Sequence, residues 1–483
     1  MTESVDTHRR ITRSALIRLL GRAAGGVLTL VALHYATRYF GPTRWGSIAA
    51  ALAWVGVFVA LGPPGVATMA MREGARPGVD RETVFGTALA ATALVGLAGA
   101  VIAAGVGVGV YWTRPVTLVL VAVLSLTIPC TAIFQTASSE LAAVGRNDVR
   151  AVLDVGSSVV GLVATLVVVR EALSSKAYAV AMVASIGVST ILALAVAAAR
   201  VRPRFHSVGT DIRPFIRSSI PLGQVDLFSA VYARADSLLL YFVKGPSAIA
   251  LYAVAYQVAA FVMSMPVFLT GALLPDFMAA KGARRTAITR HGFNIVMAVA
   301  LPLPLFFGLF GRPFLLALSG EKFAGAAVAL TVLSGAAALV LVNGYLFQLS
   351  VYAGAEAQLW RAIAIVTVVN LVAIGIAVPF WGIDGAAAAM VLSELAGMTR
   401  YWPVFRRATG YRLDVRHLAC VIGATAVIAG GWLALHLALG LRSGQGPAMV
   451  LRAGALAAAY LIVLKVLTFV IPRSPDITEP GVT

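Results

Sequence analysis

The stretch Ala230-Val-Tyr-Ala-Arg234-Ala-Asp236-Ser-Leu-Leu-Leu-Tyr-Phe-Val-Lys-Gly245-Pro-Ser-Ala-Ile-Ala-Leu-Tyr-Ala-Val254 decides the fold. Two apolar runs of helical length meet at a Gly-Pro pair. Glycine tolerates the backbone angles a sharp turn needs, and proline is comfortable in the first turn of the helix that follows. Inside the first run sit an arginine and an aspartate. Placing either at the centre of a membrane-spanning helix costs about 2.5–3.5 kcal/mol on insertion scales, so Arg234 and Asp236 each need a partner.

The rest of the chain has the same character. Of its 483 residues 60% are hydrophobic and 12% charged, far from the balance of a soluble domain. The hydrophobicity comes in blocks of roughly 20 residues, the length of a bilayer-crossing helix, and not in the ~10-residue alternation of a transmembrane barrel. The expected fold is therefore an all-α polytopic membrane protein. We count about fourteen transmembrane helices, among them 46–71, 116–138, 219–243, 249–278 and 291–311.

A net charge of +18 would suit a nucleic-acid binder, but the basic residues lie in short loops between apolar spans, as orientation signals do. With both termini in the cytoplasm, twenty-four basic loop residues fall inside and ten outside, among them Arg38 and Arg114. The arginines before the first apolar run resemble a signal peptide, yet the run is too long for one, and we read it as a retained helix. Cys130 and Cys420 both lie in apolar spans and suggest neither a disulfide framework nor a metal site.

A second Gly-Pro turn occurs at Gly41-Pro42. Shifting the chain by 204 residues lays Gly41 to Ala51 over Gly245 to Ala255. With six helices per copy, both copies enter the membrane in the same direction, the parallel-repeat arrangement of some transporters. The expected divisions are 1–200 as an N-terminal lobe, 201–218 as a basic cytoplasmic linker and 219–402 as a C-terminal lobe. An extra helix pair follows at 403–472, with a cytoplasmic tail at 473–483. Pro63-Pro64, Pro129, Pro266, Pro302 and Pro304 mark helices expected to kink.

Candidate site residues are the charges misplaced in apolar helices. Arg18 and Arg22 share one face of the first helix. Arg18 is shallow enough to snorkel to the headgroups, whereas Arg22 is deeper and suits an anion site. Two positions separate Arg234 from Asp236, so they point to different faces and each needs a further partner, a neighbouring helix or a substrate. Asp154, Asn343, Gln348, Asn370, Glu394 and Lys465 are weaker candidates, with Asp154, Asn370 and Glu394 as polar positions of a cavity, and Asn370 suits an interhelical hydrogen bond better than a ligand contact. The six histidines show no metal-ligand spacing and no phosphate-binding Gly-rich loop is present, so we expect no metal, no cofactor and no enzymatic activity.

Several stretches together resemble one family. They are Arg38-Tyr-Phe-Gly-Pro42, Trp45-Gly-Ser47, Arg234-Ala-Asp236-Ser-Leu-Leu-Leu240, Gly245-Pro246 and Leu251-Tyr-Ala-Val-Ala-Tyr256. Two more are Leu318-Ser-Gly-Glu-Lys-Phe-Ala-Gly-Ala-Ala327 and the run from Asn370 through Pro379-Phe-Trp-Gly-Ile-Asp-Gly-Ala-Ala387. The resemblance is to bacterial polysaccharide flippases, the oligosaccharide-lipid branch of the multidrug/oligosaccharidyl-lipid/polysaccharide exporter superfamily. It covers roughly residues 10–405, and Asp384 departs from it by replacing a usually apolar residue. The resemblance implies two six-helix lobes around a cavity that alternates between membrane faces. It also implies a polyprenyl-diphosphate-linked oligosaccharide as cargo, moved from the inner to the outer leaflet of the cytoplasmic membrane. Other polysaccharide-assembly proteins would be partners, and nucleic acid would not. Three alternatives remain: a lipid II-type flippase, a drug/cation antiporter of the same superfamily, and a membrane glycan polymerase or ligase. An antiporter calls for a cavity dominated by carboxylates, and a polymerase for a large external loop that the sequence lacks.

Overall fold

The computed structural model describes residues 2–61, 65–74, 76, 78–205, 208–266, 270, 273, 277–439 and 447–470. Side chains are described within these except at 2–20, 22, 60, 61, 147, 208–210, 221–229, 356, 357, 435–439, 447–450, 469 and 470. The described residues are helical with no strand. The first half runs α1 (Thr2–Leu61), α2 (Val66–Gly74), α3 (Arg81–Tyr111), α4 (Pro115–Ser125), α5 (Thr127–Ala143), α6 (Asn147–Arg170) and α7 (Ser175–Ala198). The second half runs α8 (Val208–Lys244), α9 (Pro246–Met263), α10 (Gly282–Ala300), α11 (Leu303–Ser319), a 3-10 turn at Glu321–Ala326, α12 (Ala327–Tyr352) and α13 (Glu356–Thr409). The helices α14 (Val415–Leu439) and α15 (Pro447–Val470) follow. Among the described residues ten helical stretches are long and apolar enough to cross a membrane. One of them, Gln358–Thr409, folds back on itself, so ten counts stretches and not crossings.

Three of the reversals turn on a glycine inside or between long helices. Gly41 inside α1 has φ 67 and ψ 176, and Gly245 between α8 and α9 has φ 88 and ψ −178. The two Gly-Pro turns thus share one backbone conformation, in the left-handed region that an L side chain resists. Gly382 inside α13 has φ 56 and ψ −128. The chain reverses there, and the Asn370 side-chain amide donates to the Ser393 hydroxyl at 3.1 Å across the turn.

The turns at Gly41 and Gly245 also meet each other. The Thr43 and Ser247 hydroxyls are 3.4 Å apart and 204 positions apart in sequence, the repeat shift itself. Gly46 lies so close to the main chain at Pro246 that a Cβ on it would stand 1.8 Å from the Pro246 carbonyl oxygen. One apolar cluster runs through both halves and includes Ile48, Tyr111 and Leu120 from the first with Tyr241, Ile249 and Phe323 from the second.

Proline and packing account for the remaining breaks. The expected 116–138 span is interrupted at Leu126, just before Pro129, and the expected 291–311 span is two segments parted at Leu301-Pro302. The expected 46–71 span ends at Leu61, with α2 a separate short helix. The stretch 201–218 is not only a loop, since α8 is already helical from Val208. Ile212, Phe215 and Ile216, at helical spacing, pack on Val66, Ala70, Ala88 and Ala91 of α2 and α3. Just before it, Arg204 is pinned to the start of α3. Its guanidinium meets Asp80 at 3.2 Å and Glu82 at 2.8 Å, and a Cβ on Gly86 would lie 1.9 Å from its carbonyl oxygen. Asp80 also caps α3. The Thr83 hydroxyl, the Glu82 N–H and Arg204 together hold the Asp80 carboxyl below its ordinary pKa. That contribution is present above the usual carboxylate range and fades as pH falls through the lowered value. The pair α14–α15 seats on α10, with the Tyr460 hydroxyl donating to the Ala298 carbonyl at 2.9 Å and the His417 ring to that of Asn294 at 3.0 Å.

Gly46→Ala should force the two turns apart and lower stability by about 1–3 kcal/mol, the usual cost of overpacking. Gly105→Ala, where a Cβ meets nothing within 4 Å, should not. Thermal unfolding of the detergent-purified variants measures the difference.

Candidate functional site

The charged and polar residues of α8 divide between its faces as their spacing requires. Arg234 points toward the first half. Its Nε lies 3.0 Å, and its Cζ 3.5 Å, from where a Cβ on Gly56 would be, so the absence of a side chain at Gly56 makes room for the guanidinium. Among the described residues Arg234 has no salt-bridge partner. Asp236 turns the other way, into the second half, where it is 4% exposed. Its carboxylate accepts from the Tyr252 hydroxyl, from the Ser237 N–H at 2.5 Å and from the Ser237 hydroxyl at 3.2 Å. None of these hydrogen bonds involves Arg234. The Tyr252 bond joins α8 to α9 across the Gly245 turn.

Glu394 forms a second buried acid site one helix away. It is 6% exposed, and its two oxygens accept from the Tyr232 hydroxyl at 2.5 Å and the Asn343 amide at 2.8 Å. The same amide also donates to the Glu394 carbonyl at 2.8 Å. Beside this cluster lies a cavity of about 230 Å³, with Phe347, Thr367 and Tyr401 on its other walls. Among the described residues the Oδ1 atoms of Asn343 and Asn370 have no hydrogen-bond partner. Asn370, expected as an interhelical link, makes that link to Ser393.

The first half places its candidates around α1 and α6. The side chains of Arg18 and Arg22 lie outside the described residues. The Arg22 backbone is one turn before Gly26, on the helix stripe that at Gly26 meets the Phe261 ring of α9, 2.6 Å from where a Cβ would be. Its neighbours Gly21 and Gly25 face Ala151 and Ser158 of α6. Asp154 lies between those two contacts along α6, level with Arg22, and its side chain is exposed. Arg22 belongs to the first half and Arg234 to the second, where it faces the first against Gly56, whereas Asp236, Glu394 and Asn370 lie inside the second half. The tyrosines that satisfy the acids, Tyr232 and Tyr252, carry no sequence signal beyond being hydroxyls in apolar helices. Among the described residues no cluster of three metal-ligating side chains occurs.

Helices of membrane-crossing length, two Gly-Pro turns of one conformation and ionisable groups buried in apolar helices mark a multi-pass membrane protein. The chain matches the family model described as "Polysaccharide biosynthesis protein" over residues 11–281, more than half its length, and it belongs to that family. None of the curated proteins matches it in sequence. Among solved structures it is similar to the lipid II flippase MurJ in an inward closed conformation, with a TM-score of 0.75 at 11% identity over 94% of this chain and 97% of that one. It is also similar to the Vibrio cholerae MATE transporter VcmN, with a TM-score of 0.61 at 16% identity over 84% and 98%. The fold is thus that of the multidrug/oligosaccharidyl-lipid/polysaccharide exporter superfamily, whose members are transporters and flippases.

Tyr232→Phe leaves the Glu394 carboxylate short of one donor, and stability should fall by about 1–3 kcal/mol. Glu394→Gln, which removes the charge but keeps an acceptor toward Tyr232, should cost less. Thermal unfolding in detergent, compared for the two variants, checks the order.

Proposed function

We propose that this protein flips a polyprenyl-diphosphate-linked oligosaccharide from the inner to the outer leaflet of the cytoplasmic membrane. In this reading residues 1–200 and 219–402 are two lobes that rock against each other, with both termini and the 201–218 segment on the cytoplasmic side. The observation that carries it is Arg234. It sits in an apolar helix at the junction of the halves, faces the other half across Gly56, and has no acid partner among the described residues. A diphosphate offers the planar guanidinium bidentate, charge-assisted hydrogen bonds that offset its desolvation, in a medium where such bonds are strong. Membership of the polysaccharide biosynthesis family points to the glycan. Arg22, on the facing stripe of α1, would be the second anion contact and Arg18 a shallower one. Asp236 would serve indirectly, by fixing α8 through Tyr252.

Export of the glycan, normalised to folded protein in the membrane, should fall at least about tenfold in Arg234→Ala, the scale of one lost charge-assisted contact. Arg234→Lys, which keeps charge but not the planar fork, should fall less. Normal export per folded molecule in both Arg234→Ala and Arg22→Ala would end the anion-site reading. For orientation, single cysteines at the exposed Ser174 and Ser218, in a chain lacking Cys130 and Cys420, should label from opposite sides of intact cells. Labelling of both from outside would refute the topology.

A further inference from the structure

The hydrogen bonds that cross between the halves gather at the end where the two Gly-Pro turns meet, and they share one chemistry. A helix leaves its last four carbonyls without intrahelical donors, at the negative end of its dipole. The last turn of α11 is received by three residues on one face of α1. The His34 Nδ1–H donates to the Leu318 carbonyl at 2.7 Å, since a carbonyl can only accept. Thr37 donates to the Ser319 hydroxyl at 3.0 Å. Arg38 Nη2 donates to the Leu316 and Ala317 carbonyls at 3.1 and 2.9 Å. The last turn of α8 is received likewise by α4 and the residue before it. Arg114 donates to the Tyr241 carbonyl at 3.1 Å and lies 4.4 Å over the Tyr241 ring, while the Thr117 and Tyr241 hydroxyls are 2.6 Å apart.

We propose that Arg38 and Arg114 are gate residues: two latches, each a guanidinium of the first half closed on a helix C-terminus of the second, that hold this end of the transporter shut and must both release for the cargo to leave. They are not orientation charges alone. An orienting arginine needs only to lie in a loop, whereas these two reach across the junction to carbonyls of the other half. Each latch trades its carbonyl for water on opening, so it can be broken and remade in every cycle. The proposal rests on the outward orientation of the Gly-Pro end for which way the gate opens, and on nothing in the anion-site reading.

The test uses a cysteine at Ala50, buried one turn below Gly46 on the same helix face, in the full chain lacking Cys130 and Cys420. A membrane-impermeant maleimide added to intact cells should label Ala50→Cys slowly in the parent. Labelling should be about tenfold faster with Arg38→Ala and faster again with Arg38→Ala and Arg114→Ala together, since a hydrogen bond to a charged group is worth about a factor of ten or more. Arg38→Lys, which keeps one donor in reach, should lie between. A reporter cysteine at Ala336, fully buried inside the second half, should stay unlabelled and so separates unlatching from unfolding. Unchanged Ala50→Cys labelling in both arginine variants overturns the proposal, and so does acceleration matched at Ala336→Cys. Acceleration seen only with reagent on the cytoplasmic side of inverted vesicles supports the latch and refutes the orientation. A second construction keeps the arginines intact. Thr43→Cys with Ser247→Cys, oxidised to a cross-link, should stop glycan export, and reduction should restore it. Full export with the cross-link closed would overturn the gate.

Discussion

The main-chain contact of Gly46 with Pro246 is the constraint on which the junction depends. Within a bilayer there is no hydrophobic force between helices, because the lipid is as apolar as they are, so association rests on close packing and polar contacts. A side chain at position 46 would separate the turns by more than the reach of a hydroxyl pair, and Thr43 would lose Ser247. With the turns in contact, the ends of α8 and α11 come within reach of Arg114 and Arg38. One missing Cβ thus places two arginines.

Farther into the membrane the second half satisfies its own acids. Asp236 takes donors from Tyr252 and Ser237, and Glu394 from Tyr232 and Asn343, all neutral groups from the same half. Breaking any of these would leave a carboxylate buried without a donor, which is costly where no water can replace it. The same arrangement leaves Arg234 uncommitted to Asp236, two positions away. An ion pair between them would have consumed the cation that faces the first half.

Much of this was legible in the sequence, where the governing signal was local. The Gly-Pro turns announced their backbone angles, and the 204-residue shift foretold a pair of residues that touch. Gly382, where the chain reverses, lies inside the quoted run Pro379-Phe-Trp-Gly-Ile-Asp-Gly385. Other features were hidden by what composition emphasises. Arg213 and Arg217 made 201–218 read as a charged linker, although Ile212, Phe215 and Ile216 carried the spacing of a packed helix face. Tyr232 and Tyr252 passed as apolar residues, because a hydroxyl shows its use only once an acid from another helix lies against it. Arg38 and Arg114 were counted as orienting charges, since nothing in the sequence says that a helix in the other half ends beside them.

The two kinds of polar contact differ in what water can do for them. A carbonyl at a helix end near the membrane surface exchanges an arginine for water at a small net cost, because most of the bond's strength is recovered. A carboxylate inside the second half has no such exchange open to it. In the proposed gate the contacts at the Gly-Pro end are therefore the ones that open and close, while those around Asp236 and Glu394 hold their half together. A rigid body on one side of the junction and exchangeable bonds across it are what a rocking motion requires. Arg234 stands on that half and faces the junction across Gly56, outside the hydrogen bonds that hold the two acids.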